Sequence, residues 1–244
     1  MTPEPVQVGI MTFNVGNGLA HPARLVLLLQ EVGADIVGLQ ELAPAQAEAI
    51  ARELSETYPY QVLNPHGFAG KGLLSRYPVL ATEQLALYPA RPDLRVVVDV
   101  DGVRLTVLVA HPPPPRLRRA GIRFDPAALR QLDALARLAV EHAPTVLLGD
   151  LNLTRRNPVY ARFAAAGLAD AFAIAGRGRG WTLPRRVGQA ASFDHGLHAL
   201  PLRPVARVDY IWYTSALQAE AAWVGPDGGS DHLPVLARLA LSRS

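Results

Sequence analysis

Along this chain, apolar runs repeatedly end in a polar side chain. Residues 6–14, VQVGIMTFN, read as a strand closing on Asn14, ahead of a Gly16-Asn17-Gly18 turn. Residues 24–30 are helical in composition, and Gly33 stops that helix before a second strand, residues 35–39, runs into Gln40-Glu41. Residues 45–56 hold helix formers without Gly or Pro. From 60 to 80 the pattern breaks into short apolar pieces around Gly67, Gly70, Gly72 and Pro78, with one short strand at 72–75. Residues 95–100 and 103–110 flank Asp101-Gly102, a two-residue hairpin signal, and the second run ends at His111. Four prolines, 112–115, follow as a stiff extended segment carrying Arg116, Arg118, Arg119 and Arg123 behind them. Asp125 then caps a helix that opens at Pro126 and runs to about His142.

Residues 146–152, VLLGDLN, form the pivotal stretch: an extended backbone there puts Asp150 and Asn152 on one side. A carboxylate ending an apolar strand is costly to leave dry and unpaired, so it needs a metal, a cation or solvent. Taken alone the tripeptide is equally a turn after a buried strand. Asn157-Pro158 begins another helix, stopped at Gly167; residues 176–198 are the least regular, with Trp181 among Arg177, Arg179, Arg185 and Arg186. Strand character resumes at 205–213 around Asp209 and at 221–224, and Asp231-His232 precede a strand at 234–239. The hairpin and the closing strands require antiparallel pairing, so two packed mixed sheets with helices outside are expected, not a purely parallel doubly wound sheet. With no repeat and no boundary, residues 1–244 read as a single domain.

Composition narrows the function classes. Hydrophobic residues make up 50% and charged residues 18%, which favours a packed core over disorder. Lys71 is the sole lysine, a bias with a bland cause in codon usage, although arginine's fork does suit phosphate. The net charge of +3 is too modest to demand a long duplex footprint. Absence of cysteine excludes disulfides, thiolate metal sites and a cysteine nucleophile. No signal peptide and no apolar run near the ~18 residues of a membrane span is visible, so a cytoplasmic monomer is the default expectation.

Asn14, Glu41, His111, Asp150, Asn152, Asp209, Asp231 and His232 all sit at strand ends or beside them. Singly, each has a plain reading as turn former, helix-start carboxylate or solvated loop residue. Jointly they offer hard oxygen donors suited to Mg²⁺ or Mn²⁺ and two histidines able to move protons, the parts of a metal-assisted phosphoester hydrolysis. Serine-triad chemistry is disfavoured, because neither Ser75 nor Ser230 lies in a G-x-S-x-G elbow.

The set TFN, LQEL, LLSRYP, VAH, LLGDLN, RVDYIW and GSDHLPV, in that order from residue 12 to 235, resembles the endonuclease/exonuclease/phosphatase superfamily, which includes pancreatic-type deoxyribonucleases, abasic-site endonucleases, sphingomyelinases and inositol-polyphosphate phosphatases. The resemblance implies a DNase I-like four-layered α-β-β-α sandwich. It also implies Glu41 as main metal ligand with Asn14 and Asp231 in or near the metal shell, Asp209 orienting His232 as general base, Asp150 aiming water, and Asn152 with His111 holding the scissile phosphate. Arg95 takes the place of a phosphate-contacting arginine. The acidic residue that supports the middle histidine in relatives has no counterpart in residues 70–75, leaving His111 either to a backbone carbonyl or another side chain, or to a reduced role. A Mg²⁺-dependent phosphodiesterase, foremost a nuclease acting on DNA or other nucleic acid, is the leading expectation. A phospholipid, isoprenoid phosphate or other small phosphoester is the alternative substrate, and an idle nucleic-acid- or lipid-binding module the alternative class.

Overall fold

The computed structural model describes residues 4–118, 121–186 and 202–243. The strand β1 (Val6–Asn14) lies at the heart of the first sheet, parallel to β2 (Ile36–Gln40) and antiparallel to β14 (Val235–Leu241). Helix α1 (Pro22–Val32) makes the crossover between β1 and β2. With β3 (Tyr60–Asn64), β4 (Lys71–Ser75) and β13 (Leu217–Val224), the order across this sheet is β13-β14-β1-β2-β4-β3.

The second sheet is built from β5 (Val79–Leu85), β6 (Asp93–Val100), β7 (Val103–Ala110), β10 (Thr145–Asp150), β11 (Ala169–Asp170) and β12 (Asp209–Tyr213), in the order β11-β12-β10-β7-β6-β5. Helix α3 (Pro126–Glu141) carries the chain from β7 to its parallel neighbour β10. A small hairpin of β8 (Arg116–Arg118) and β9 (Gly121–Arg123) stands apart.

Three apolar layers hold this together. Val8, Ile10, Val96, Val107, Val146 and Leu148 belong to the core between the sheets. Met11, Phe13 and Val37, on the opposite face, pack with residues of α1 and of α2 (Pro44–Glu53). Leu108, Leu147 and Trp212 pack with residues of α3 and of α4 (Pro158–Ala165). The result is the expected four-layered sandwich. The central strands are buried on both faces, so they read as continuous apolar runs, not alternating ones. Gly38 marks the close approach of the sheets, since a Cβ there would stand 2.8 Å from the Leu148 side chain.

Among the strands and α-helices of the described residues, β3, β5, β8, β9, β11 and the short α5 (Ala171–Ala175) were not legible in the pattern. Most of β5 is exposed and β3 is only half-buried, so neither has an inward face to print a period on its sequence. The chain just before β12 hides another unforeseen feature. Arg207 makes two parallel bonds to Asp170, at 2.8 and 2.6 Å, with both side chains buried and the guanidinium 4.5 Å from the Tyr210 ring centre. Asp170 also accepts from the N–H groups of Phe172 and Ala173 at the start of α5. Removing one partner leaves the other charge buried, so Arg207→Leu is expected to cost about 3–5 kcal/mol in urea unfolding. A loss within about 1 kcal/mol would mean that Asp170 is satisfied without the pair.

Candidate active site

Both sheets deliver polar residues to the same end of the sandwich. The first sheet supplies Asn14 at the end of β1, Glu41 just past β2, and Asp231-His232 just ahead of β14; the second supplies His111 past β7, Asp150 at the end of β10, and Asp209 at the start of β12. They meet because β1 and β2 run parallel, as do β7 and β10, while β12 pairs antiparallel with β10 in a register that sets Asp209 opposite Asp150. Gly149 allows the last step of β10: a Cβ at that position would overlap the Ala110 carbonyl oxygen on β7.

Asp150 is the hub. Its Oδ2 accepts from Asn14 Nδ2 at 3.0 Å and lies 3.5 Å from His111 Nε2 and 3.6 Å from His232 Nε2. Its Oδ1 accepts from the Asn152 N–H at 2.9 Å. Burial pushes the Asp150 carboxyl up to about 7, against the pull of His232 and with the help of Asp209. Asn14 Nδ2 also donates to Glu41 Oε1 at 3.1 Å, so one amide bridges the two carboxylates.

Glu41 has a left-handed backbone, φ 54°, which breaks the alternation of β2 at the point where its side chain must enter the cleft. Its neighbours hold it there: Glu41 O accepts from the Asn17 N–H and Leu42 N–H donates to Gly70 O. Burial raises the Glu41 carboxyl above its usual range, Asn14 opposes this, and the Asp231 carboxylate adds to it.

The two histidines occupy opposite electrostatic settings. His232 Nδ1 faces Asp209 Oδ2 at 2.9 Å; burial alone would lower it, but the Asp209 and Asp150 carboxylates push it up to about 10, which favours an imidazolium whose Nδ1–H donates to Asp209 while Nε2 stands 3.6 Å from Asp150 Oδ2. His111 is held well below its ordinary value by burial and by the cations Lys71 and Arg91. Its Nδ1–H donates to the Phe68 carbonyl at 3.2 Å, leaving Nε2 unprotonated 3.5 Å from Asp150 and 3.6 Å from Glu41, free to accept a proton. Of the alternatives left open for His111, the ring is oriented by a backbone carbonyl. Ser230, dismissed in the sequence as a triad nucleophile, ties the last loop down by donating to Asn14 O at 2.7 Å and accepting from the His232 N–H at 3.3 Å.

Two expectations need correction. Arg95 does not reach the cleft: Leu94, Val96 and Val98 of β6 face the inter-sheet core, so Arg95 points the other way, to Glu83 at 2.6 Å and His142 at 3.0 Å. The alternation of that strand was the signal that could have said so. Arg91, four residues earlier on the loop before Pro92, lines the cleft instead, and its Nη1 is buried with no hydrogen-bond partner among the described residues. Asn14 turns its NH₂ to the carboxylates of Glu41 and Asp150 while its Oδ1 accepts from Gly16 N–H at 3.0 Å, which makes it a bridge between the two acids. Finally, Asp150 and Asn152 are joined by a turn, not by strand alternation: Asn152 is left-handed, φ 52°, and its Nδ2 donates to Pro112 O at 3.0 Å.

The arginines beyond the strand ends divide. Arg185 and Arg186 converge on Asp227 at 3.0 and 2.7 Å and brace the loop before Asp231, so they are not a polyanion track. Arg119 lies outside the described residues. The cleft itself, about 350 Å³, has an apolar rim of Leu19, Phe68, Pro114 and Leu183 over a floor of Glu41, His111, Asp150, Asn152, Asp231 and His232. An anion with several oxygens would meet donors from Arg91 and His232 there, beside carboxylates able to hold a divalent cation.

The fold is shared with solved structures of low sequence identity. An endonuclease/exonuclease/phosphatase from Bacteroides vulgatus matches with TM-score 0.72 at 19% identity, covering 97% of this chain and 100% of that one. One from Beutenbergia cavernae matches with TM-score 0.69 at 22% identity, covering 97% and 72%. D. rerio TDP2 humanized by 14 mutations matches with TM-score 0.71 at 22% identity, covering 96% and 98%. No curated protein matches the sequence. The model of the endonuclease/exonuclease/phosphatase family matches residues 11–232, a stretch that contains every residue of the cleft floor, and the chain accordingly belongs to that family.

Proposed function

We propose that this chain is a divalent-metal-dependent phosphodiesterase, with nucleic acid as its foremost substrate class, cleaving by attack of an activated water. The observation that carries the reading is the convergence on Asp150 Oδ2 of Asn14 and both histidine Nε2 atoms, with Asn14 bridging to Glu41.

The donor set fits a hard cation. Glu41 and Asp231 repel one another across the cleft and both reach its floor, so a Mg²⁺ or Mn²⁺ held by this pair would relieve that repulsion. Asp150, Asp209 and His232 also offer ligand atoms within 4.8 Å of one another. The direct His232–Asp209 bond commits that group to orienting the imidazolium instead. When bound, the cation would polarise the phosphoryl oxygen and ease departure of the leaving oxygen.

The protein's own groups supply the rest. Arg91 and His232 present N–H donors to the phosphate oxygens, and their charge offsets what accumulates there during attack. Asn152, locked against Asp150 and Pro112, sets the edge against which the phosphate rests. Asp150 takes the proton of the attacking water, with the His111 Nε2 acceptor 3.5 Å away to share it.

Two results test this. Hydrolysis of plasmid or single-stranded DNA in a panel that also holds phospholipids and inositol phosphates is expected only with Mg²⁺ or Mn²⁺; metal-independent turnover would reject the reading. Binding is also visible without chemistry: Mg²⁺ at about a hundred times its Kd stabilises the folded state by about 2.7 kcal/mol, hence a Tm rise of roughly 5–10 °C for a chain of this size. Scanning calorimetry that shows no shift in the wild type at millimolar Mg²⁺ would remove the metal site.

A further inference from the structure

A second cleft, about 460 Å³, opens beside the active site and plays no part in the chemistry described so far. It is lined by Thr154, Arg155, Arg156, Arg179, Trp181 and Arg207 among others. Arg207 is neutralised by Asp170 and belongs to the floor. Arg155, Arg156 and Arg179 are exposed and have no carboxylate partner among the described residues. Two of them are instead posed by aromatic rings: Arg155 lies 5.5 Å from the centre of Tyr160 and Arg179 4.7 Å from that of Trp181. Stacked in this way, a guanidinium keeps its N–H edge free for phosphate while its plane extends the aromatic surface.

Trp181 is 38% exposed, an unusual position for the largest apolar side chain. It and Arg179 form the wall shared with a neighbouring cleft of about 330 Å³, which continues to Arg177 and to Trp223. The surface therefore offers cations and flat rings side by side across two adjoining clefts. Chain geometry bounds the separation: Asn152 and Leu183 line the active cleft, and Thr154 and Trp181 each lie two residues from them. Two residues span at most about 7 Å, comparable with one nucleotide step of a single strand.

We infer that this arginine–tryptophan cleft is a subsite for single-stranded nucleic acid, taking the nucleotide next to the scissile phosphate with its base on the Arg179–Trp181 stack and its phosphate on Arg155 and Arg156. The inference rests on the phosphodiesterase reading of the adjacent site and specifies the substrate class. Concavity favours it over a lipid surface: the ring that would enter a bilayer is walled by guanidinium groups in a cleft of about 460 Å³, whereas flat bases stack on both aromatic and arginine planes.

The test separates the subsite from catalysis. Binding of a labelled single-stranded DNA hexanucleotide to the full chain is measured by fluorescence anisotropy in EDTA. Trp181→Ala is expected to weaken it about tenfold or more, with Trp181→Phe restoring most of the loss. Arg155→Ala/Arg156→Ala is expected to flatten the slope of log affinity against log salt by about 1.4, while Arg104→Ala, on an exposed part of β7, changes neither. Affinities within twofold of wild type for both the Trp181→Ala and the double arginine variant would overturn the subsite. So would Trp181-dependent binding to phosphatidylcholine–phosphatidylserine vesicles with hexanucleotide binding intact, which would give the face to lipid. If no phosphodiester is hydrolysed with metal present but hexanucleotide binding still depends on Trp181, the subsite stands and the catalytic reading falls.

Discussion

Glu41→Gln is expected to lower metal-dependent hydrolysis by about a thousandfold or more while leaving the fold intact. The substitution keeps the size of the side chain and its bond from Asn14 Nδ2, but removes one of the two negative charges that make the donor set suit a divalent cation. Loss of ligand charge acts on metal affinity first, so raising Mg²⁺ should recover part of the activity, and the Tm rise produced by Mg²⁺ in the wild type should shrink. The variant should itself unfold at or above the wild-type temperature without metal, because a mostly buried carboxylate beside Asp231 is costly to keep ionised. A variant retaining more than a tenth of wild-type turnover at limiting Mg²⁺ would show that the cation, if any, sits elsewhere.

The second large effect concerns the Asp209–His232 pair. His232→Ala removes a charged donor aimed at the Asp150 hub, and a loss of about a thousandfold is expected. Asp209→Asn changes only the nature of the contact to Nδ1, yet it should cost nearly as much. The amide cannot stabilise an imidazolium as a carboxylate does, and it can hold the ring in the wrong tautomer. Since the two residues act as one unit, the double variant should be no slower than His232→Ala alone. Steady-state kinetics on a single phosphodiester decide the matter; strictly multiplicative losses would mean that Asp209 serves something other than the histidine.

Much of this architecture was legible in the residue pattern, for a physical reason. Central strands such as β1 and β10 are long apolar runs bounded by turn residues, and the hydrophobic core leaves them few alternatives. The floor of the cleft was legible because a polar group at the end of a buried strand is conspicuous. What escaped was set by local backbone and by distant partners. The premise that an extended chain aligns Asp150 with Asn152 failed because Asn152 turns left-handed, so the turn and the site, read as alternatives, are one object. Arg91 escaped because it stands on a loop, where no period indicates direction. The bridging role of Asn14 depends on which end of an amide faces which neighbour, a matter decided by Gly16, Glu41 and Asp150 together.

The order of strands within the two sheets has a further consequence, for the life of the nascent chain. The second sheet is drawn from one continuous stretch, residues 79–213, but the first joins β1–β4 to β13 and β14, made more than two hundred residues after β1 begins. Asp231 and His232 enter the site only when β14 has seated against β1. A partly synthesised chain therefore carries Glu41, His111 and Asp150 without the imidazolium that completes them. Completion of the cleft therefore waits for one of the last strands of the fold to pair with its first.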